Sequence, residues 1–202
     1  MDMMLECARN FERLLPYRYH IVIGRKGVAR EFTISFERSD FHHLAGLHKL
    51  RDITQFQTGK RERVMRDILD RKLTLSTAQK SAFYEQIAPR LPLLSKLESI
   101  LDNNQLIFRY NAKAHAFSVI EADYLLENQL QDNTVYLFLI ERSNGNTQVC
   151  RTMFPKASLN YAEGQIKYTL LKKEKISSAT AMAATSRSSH SHNVARAFRF
   201  SG

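Results

Sequence analysis

Acidic residues, cysteines and long apolar runs are all scarce in this chain of 202 residues, and each shortage removes a class of protein. No stretch approaches the ~18–20 apolar residues that a membrane-spanning helix needs. The longest, Val135-Tyr-Leu-Phe-Leu-Ile140, has strand length. The opening residues carry Asp2 and Glu6 without a basic-then-apolar segment, so no secretory signal is expected and the chain reads as cytoplasmic. Cys7 and Cys150 are too few for a disulfide framework or a cysteine-built zinc site. Twenty Asp and Glu against 30 Lys and Arg leave a net charge of +10. That balance favours polyanionic partners, nucleic acid or anionic lipid, over basic ones.

Several phosphate and hydrolase signatures are missing as well. Gly24-Arg-Lys-Gly27 lacks the length and the following helix of a Walker or dinucleotide loop, and no Gly-x-Ser-x-Gly elbow occurs. Nothing points to a nucleotide cofactor, and clustered Asp/Glu ligands for two-magnesium phosphodiester chemistry are absent. No cofactor is therefore expected, and metal-free acid–base chemistry is the natural route to phosphodiester cleavage.

The charge is uneven. Residues 177–202 hold Arg187, Arg196 and Arg199, no acidic residue and seven serines, so residues 1–176 keep +7 of the excess. This Ser-rich, aperiodic segment cannot pack a core and is read as a disordered basic tail, in which His190 and His192 carry no expected role. Residues 1–176 form the expected folded domain.

Within that domain, Met4, Ala8, Phe11 and Leu15 make one stripe of a helix ended by Pro16. Tyr19–Ile23 and Phe32–Phe36 read as a hairpin around Gly24–Gly27. Ser39-Asp40 reads as the N-cap of a helix from Phe41 to Asp52. A helix is expected from Lys60 to Leu69, another opened by a Ser76-Thr-Ala-Gln79 capping box and closed by Pro89, and a third after Pro92. The period then changes from 3.6 to 2. Gln105–Tyr110, Ala116–Ile120, Thr134–Glu141, Thr147–Phe154 and Gln165–Leu171 are strand candidates, while Ala122, Leu125 and Leu126 favour a short helix within Glu121–Gln129. Val135–Ile140, apolar on both faces, should be the central strand. Helices followed by strands imply an α+β fold: N-terminal helices packed on a four- or five-stranded antiparallel sheet, with extra helices inserted.

Reactive side chains concentrate in Phe41-His-His-Leu-Ala-Gly-Leu-His-Lys-Leu50. On an unbroken helix His43 and His48 lie about 140° apart and His42 and His48 about 120° apart, so only one of His43 and His48 would reach a given substrate atom. Neither pair has the i, i+4 spacing of a helical zinc site, and no Glu follows the first His as in His-Glu-x-x-His; a metal site is not expected. Helix-flank histidines bonded to nearby backbone are the plain alternative. Against it, imidazole moves protons near neutral pH, and Lys49 and Arg51 would favour its neutral, basic form.

Further along, Cys150-Arg-Thr-Met-Phe-Pro-Lys156 is a strand bearing Arg151 and ending near Lys156. In the last strand Gln165, Lys167 and Thr169 share one face, with Ile166, Tyr168 and Leu170 on the other. Set beside the Arg-bearing strand, that polar row would hold phosphate through guanidinium, ammonium and hydroxyl donors; alone, it is equally the solvated side of a sheet. Residues 49–72 carry eight basic and four acidic side chains, a solvated helical face or an RNA-steering surface.

The run from Phe41 to Leu50, together with Ile120-Glu-Ala-Asp-Tyr-Leu-Leu-Glu127, Arg151–Lys156 and Gln165-Ile-Lys-Tyr-Thr-Leu-Leu-Lys-Lys-Glu-Lys175, resembles a phage-associated branch of the barnase/EndoU/colicin/RelE-like nucleases over residues 4–176. The resemblance implies the helix-on-sheet fold just described, with helices at 60–102 as an insertion, and RNA cleavage without metal in phage, prophage or toxin settings. It assigns no catalytic residue, because members of that superfamily vary in theirs. The residues themselves suggest His43 as base and His48 or Lys49 as acid. Arg151, Lys167 and Thr169 would act on the transition state, and His42, Arg51, Lys156, Gln165 and Tyr168 would line the substrate site. Two further expectations stand beside this one: a non-catalytic RNA-binding protein using the same basic face, and a toxin-like domain covered by an acidic inhibitor or immunity protein.

Overall fold

The protein is described here from a computed structural model covering residues 2–57, 59–115, 118–130, 133–142 and 145–177. Apart from Ser177, the tail and its two histidines lie outside the described residues. Helix α1 (Met3–Leu14) opens the chain with Asp2 as its N-cap: one carboxylate oxygen accepts from the Leu5 N–H, and the other from the Leu75 N–H at the start of α4 (Leu75–Ala78). Strands β1 (Tyr17–Arg25) and β2 (Val28–Ile34) follow as a hairpin. Its two-residue loop places Lys26 at φ 50° and Gly27 at φ 76°, the left-handed pair that matches the twist of adjoining strands.

Helices α2 (Arg38–Leu44), α3 (Arg61–Leu69), α4, α5 (Leu91–Leu94) and α6 (Leu97–Asn103) then lead to five strands: β3 (Leu106–Arg109), β4 (Tyr124–Leu130), β5 (Asn133–Glu141), β6 (Thr147–Pro155) and β7 (Ile166–Ser177). The seven strands close into a barrel in the order β1-β2-β6-β5-β4-β3-β7. The expected open sheet of four or five antiparallel strands is therefore wrong. Closure comes from β7, which pairs along one edge with β1 and along the other with β3. A short parallel seam, Thr33 against Thr147 and Ile34 against Gln148, joins β2 to β6.

Two local expectations fail with it. Tyr124–Leu130 is a strand rather than a helix: Leu126 faces the barrel core and Leu125 an outer aromatic cluster, so burial on both faces imitated a helical pattern. Of the expected strand over 116–120, residues 118–120 carry no strand, and residues 116–117 lie outside the described residues. Further upstream, the capping box belongs to Thr74 and Thr77, whose hydroxyls and backbone N–H groups exchange hydrogen bonds, and the helix it opens is one short turn.

One apolar core runs from the barrel interior into the helices. Ile21, Ile23, Phe32, Ile34, Leu126, Val135, Leu137, Leu139 and Met153 point inward, and α1 adds Met4, Ala8, Phe11 and Leu14. Phe11 meets Phe36 and Phe41 edge-on. β5 is apolar on both faces because Tyr136 and Phe138 belong to a second cluster outside the barrel, with Phe108, Tyr110 and Leu125. Lys173 on β7 ties the barrel to α6 by donating to the carbonyls of Leu101, Asp102 and Asn104 at 2.7, 2.6 and 2.8 Å. A cation at a helix C-terminus also complements its dipole.

Candidate active site

The histidine segment leaves β2 and crosses onto β6. Glu37 caps α2, not Ser39-Asp40; the Asp40 carboxylate accepts from the Glu37 N–H at 2.8 Å. Arg142 holds both carboxylates, at 2.6 Å from Glu37 and 2.7 Å from Asp40, and so fixes where α2 begins. The helix does not continue to Asp52. It stops at Leu44, Gly46 takes φ 74°, and a 3-10 turn covers Leu47–Lys49. A left-handed residue redirects the chain at little cost only when it is glycine. The Gln57 amide then donates to the Leu50 carbonyl at 3.1 Å and holds the turn from outside.

That break changes the arithmetic of the histidines. On a continuous helix His43 and His48 diverge; here their rings approach to 4.9 Å between centroids, with His42 at 6.0 Å from His43 and 6.3 Å from His48. The divergence of His43 and His48 expected of an unbroken helix is therefore not found. His42 is a buried support: its Nε2–H donates to the Phe56 carbonyl at 2.7 Å, which leaves Nδ1 without a hydrogen-bond partner.

Among the described residues, the Lys and Arg charges that act on the other two rings are Arg61, Arg90, Lys49 and Arg151, and a proton on one ring also opposes a proton on the next. Desolvation, then Arg61, His48 and Arg151, hold His43 down at about 4. Desolvation, then His42, Arg90, Lys49 and Arg151, hold His48 at about 4 as well. Both rings are neutral bases at pH 7. Lys49 is also lowered, first by burial and then by Arg90.

Arg90, from the 3-10 turn Ala88–Arg90, is the residue that sequence reasoning missed. It is 8% exposed, donates from Nη1 to the Thr152 hydroxyl at 2.7 Å, and lies over the Phe154 ring at 5.9 Å. Among the described residues no carboxylate pairs with it, and burial is the cause of its lowered pKa. An unpaired buried guanidinium is costly unless an anion completes it. Gly46 makes room for it: a Cβ there would lie 3.0 Å from Ile87 Cγ2 and 3.2 Å from Arg90 Cδ. No sequence signal singles out Arg90 between Pro89 and Pro92. Arg61 did lie within the basic run read from the sequence, though not as a neighbour of the histidines.

The expected site is thus divided. His42, His43, His48, Lys49 and Arg151 come together with Arg61 and Arg90; exposed Arg51 follows the histidine turn. Lys156 lies past the far end of β6, its N–H bonded to the Thr134 carbonyl. The last-strand row is elsewhere, because β7 is separated from β6 by β1 and β2 in one direction and by β3, β4 and β5 in the other. Lys167 stands opposite Phe108 and Thr169 opposite Gly24, Tyr168 packs on the core, and Gln165 exchanges two hydrogen bonds with the Asn111 backbone. The β6–β7 adjacency that would have made one phosphate surface does not exist.

Among the described residues no group of three or more His, Cys, Asp or Glu is placed to hold a metal ion. Both cysteines are buried free thiols, unsuited to act as nucleophiles.

Residues 3–189 match the family model described as phage-Barnase-EndoU-ColicinE5/D-RelE like nuclease4. No curated protein and no solved structure matches the chain.

Proposed function

The chain belongs to the phage-Barnase-EndoU-ColicinE5/D-RelE like nuclease4 family and so acts on nucleic acid; from that premise we propose that it is a metal-independent endoribonuclease centred on the histidine turn. The observation that carries this reading is the pairing of two neutral imidazoles with cations that no carboxylate among the described residues neutralises. Such a site binds an anion and offers it a base. Arg61, Arg90, Arg151 and Lys49 repel a divalent cation from the same position, which favours chemistry carried by side chains alone.

In the proposed reaction His43 takes the proton of a ribose 2′-OH, and the oxygen attacks the adjacent phosphorus. The P–O5′ bond breaks, Lys49 protonates the departing O5′, and a 2′,3′-cyclic phosphate remains. Lys49 is assigned the acid role because His48, held at about 4, has no imidazolium proton to give at neutral pH. Arg90 and Arg151 stabilise the pentacoordinate phosphate, and His48 donates a ring N–H to one of its oxygens.

The test is cleavage of total RNA in EDTA with analysis of the new ends. Cyclic phosphate termini formed without metal are the expected result. A magnesium requirement, or activity that survives both His43→Ala and His48→Ala, overturns the mechanism; tight binding without turnover selects an RNA-binding protein instead. The same uncompensated cations suit an acidic inhibitor, as a phage or prophage toxin would need. Growth arrest on expression, relieved by co-expressing a neighbouring acidic protein, is the result that role requires.

A further inference from the structure

Beside the histidine turn runs a cleft of about 830 Å³, bounded by Ser39 of α2, Gly59 and Lys60, the exposed face of α3 and Lys72. Its walls carry Lys60, Arg61, Arg63, Arg66 and Lys72 against two carboxylates, Glu62 and Asp67. Asp67 is shared by Arg63 at 3.6 Å and Lys72 at 3.8 Å, and Lys72 also meets Asp70 at 2.9 Å. Lys60, Arg61 and Arg66 have no ion pair among the described residues. Two of the five cations are therefore paired, and the other three leave a concentrated positive excess along the cleft.

Two features join this cleft to the active site. Ser39 and His43 are four residues apart on α2, one above the other on the same helical face. Arg61 lines the cleft and also stands near enough to His43 to be the foremost charge acting on it. A strand entering the cleft is thus led, within one helical turn, to the proposed base.

We infer that this cleft is a second binding site, which holds the phosphate backbone of the RNA strand on one side of the scissile phosphate. Among the described residues no aromatic side chain lines it, so these residues offer no platform for stacking bases and grip phosphates without regard to sequence. Base preference then has to come from the histidine site. The inference rests on the ribonuclease reading for the identity of the strand, and its experiment separates the two.

Wild type is compared with the double variant Lys60→Ala/Arg66→Ala, which alters two exposed side chains outside the catalytic group and should leave thermal unfolding unchanged. The binding probe is a fluorescent, 2′-O-methylated oligonucleotide of about twelve residues, which cannot be cleaved, followed by anisotropy across a salt series. The double variant should bind about tenfold more weakly, and its slope of log affinity against log salt should be shallower by about 1.4, as expected for two lost phosphate contacts on a single strand. Cleavage of a dinucleoside monophosphate, whose one phosphate is the scissile one and which leaves none for the cleft, should be unchanged. Unaltered binding of the long probe, or an equal loss on the dinucleoside monophosphate, overturns the inference. If binding falls as stated while wild type cleaves no RNA at all, the cleft stands and the ribonuclease reading fails.

Discussion

On β7, Lys172 lies 3.0 Å from Glu174, Lys175 pairs with Glu98, and Lys173 spends its ammonium on three carbonyls at the end of α6. Around the histidine turn, Lys49, Arg61, Arg90 and Arg151 have no ion pair among the described residues, and Arg90 is buried in that state. In sequence the first is a run of lysines, whereas the second is gathered from distant positions. The first uses its charge to fasten a strand to a helix. The second leaves its charge unpaired among the described residues, and that charge adds to burial, the larger cause, in holding the nearby imidazoles down. The partner of a cation, more than its presence, separates a structural face from a functional one.

The largest effect expected of this contrast is catalytic. His43→Ala should lower RNA cleavage by about 10²–10⁴-fold, whereas Lys167→Ala on β7 should change it by less than about twofold. Equal losses in rate assays would erase the distinction. Arg90→Gln keeps a donor for Thr152 but removes the charge, and should lower kcat/KM by about 10²–10³-fold. A small effect would mean that the guanidinium serves only packing.

The pH profile sharpens the assignment of the acid. His43 works only when neutral, so kcat/KM should climb about tenfold per pH unit up to about 4 and then level. With Lys49 as acid the plateau runs through neutrality and falls only where that ammonium loses its proton. With His48 as acid, kcat/KM would instead peak near 4 and drop above it.

Smaller effects concern stability. Gly46→Ala forces a left-handed alanine and a Cβ into contact with Ile87 and Arg90, which should cost about 1–3 kcal/mol in denaturant unfolding. Cleavage should fall with it, since the histidines meet across that residue. Lys173→Met should cost about 1–2 kcal/mol and leave cleavage intact. Lost activity in that variant would make the β7 face more than a fastening.

How far the fold could be read in advance depended on how local each signal was. Helix α1 followed from its Met4–Leu15 stripe, the first hairpin from its two glycines, and β5 from an unbroken apolar run. Barrel closure left no such trace, because the pairings that achieve it join β7 to β1 across most of the chain, and β2 to β6 by only two residue pairs. At the site, the histidine cluster was visible, but its geometry was not. Gly46 stood in the motif as a possible break, and constructing a continuous helix through it separated rings that the fold brings together. Arg90 reaches the histidines through a tertiary contact, and residue type alone says nothing of that. The Gln165/Lys167/Thr169 row was legible as a polar strand face, but its neighbours were not.

The seam between β2 and β6 has a consequence in time as well as space. The other joins of the barrel are held by three to eight residue pairs, while here the backbone contributes two, flanked by the Thr33 N–H to Asn146 and the Ser35 N–H to Gln148. Local opening should begin at this join, with the Thr33 and Ser35 amides exchanging their hydrogens well before those of the β4–β5 ladder. Helix α2 departs from one side of the seam and rests on the other. An anion that draws Arg90 and Arg151 of the β6 side toward the histidines of α2 therefore clamps the barrel across its weakest join, and slowed exchange at those two amides would report substrate binding without any turnover.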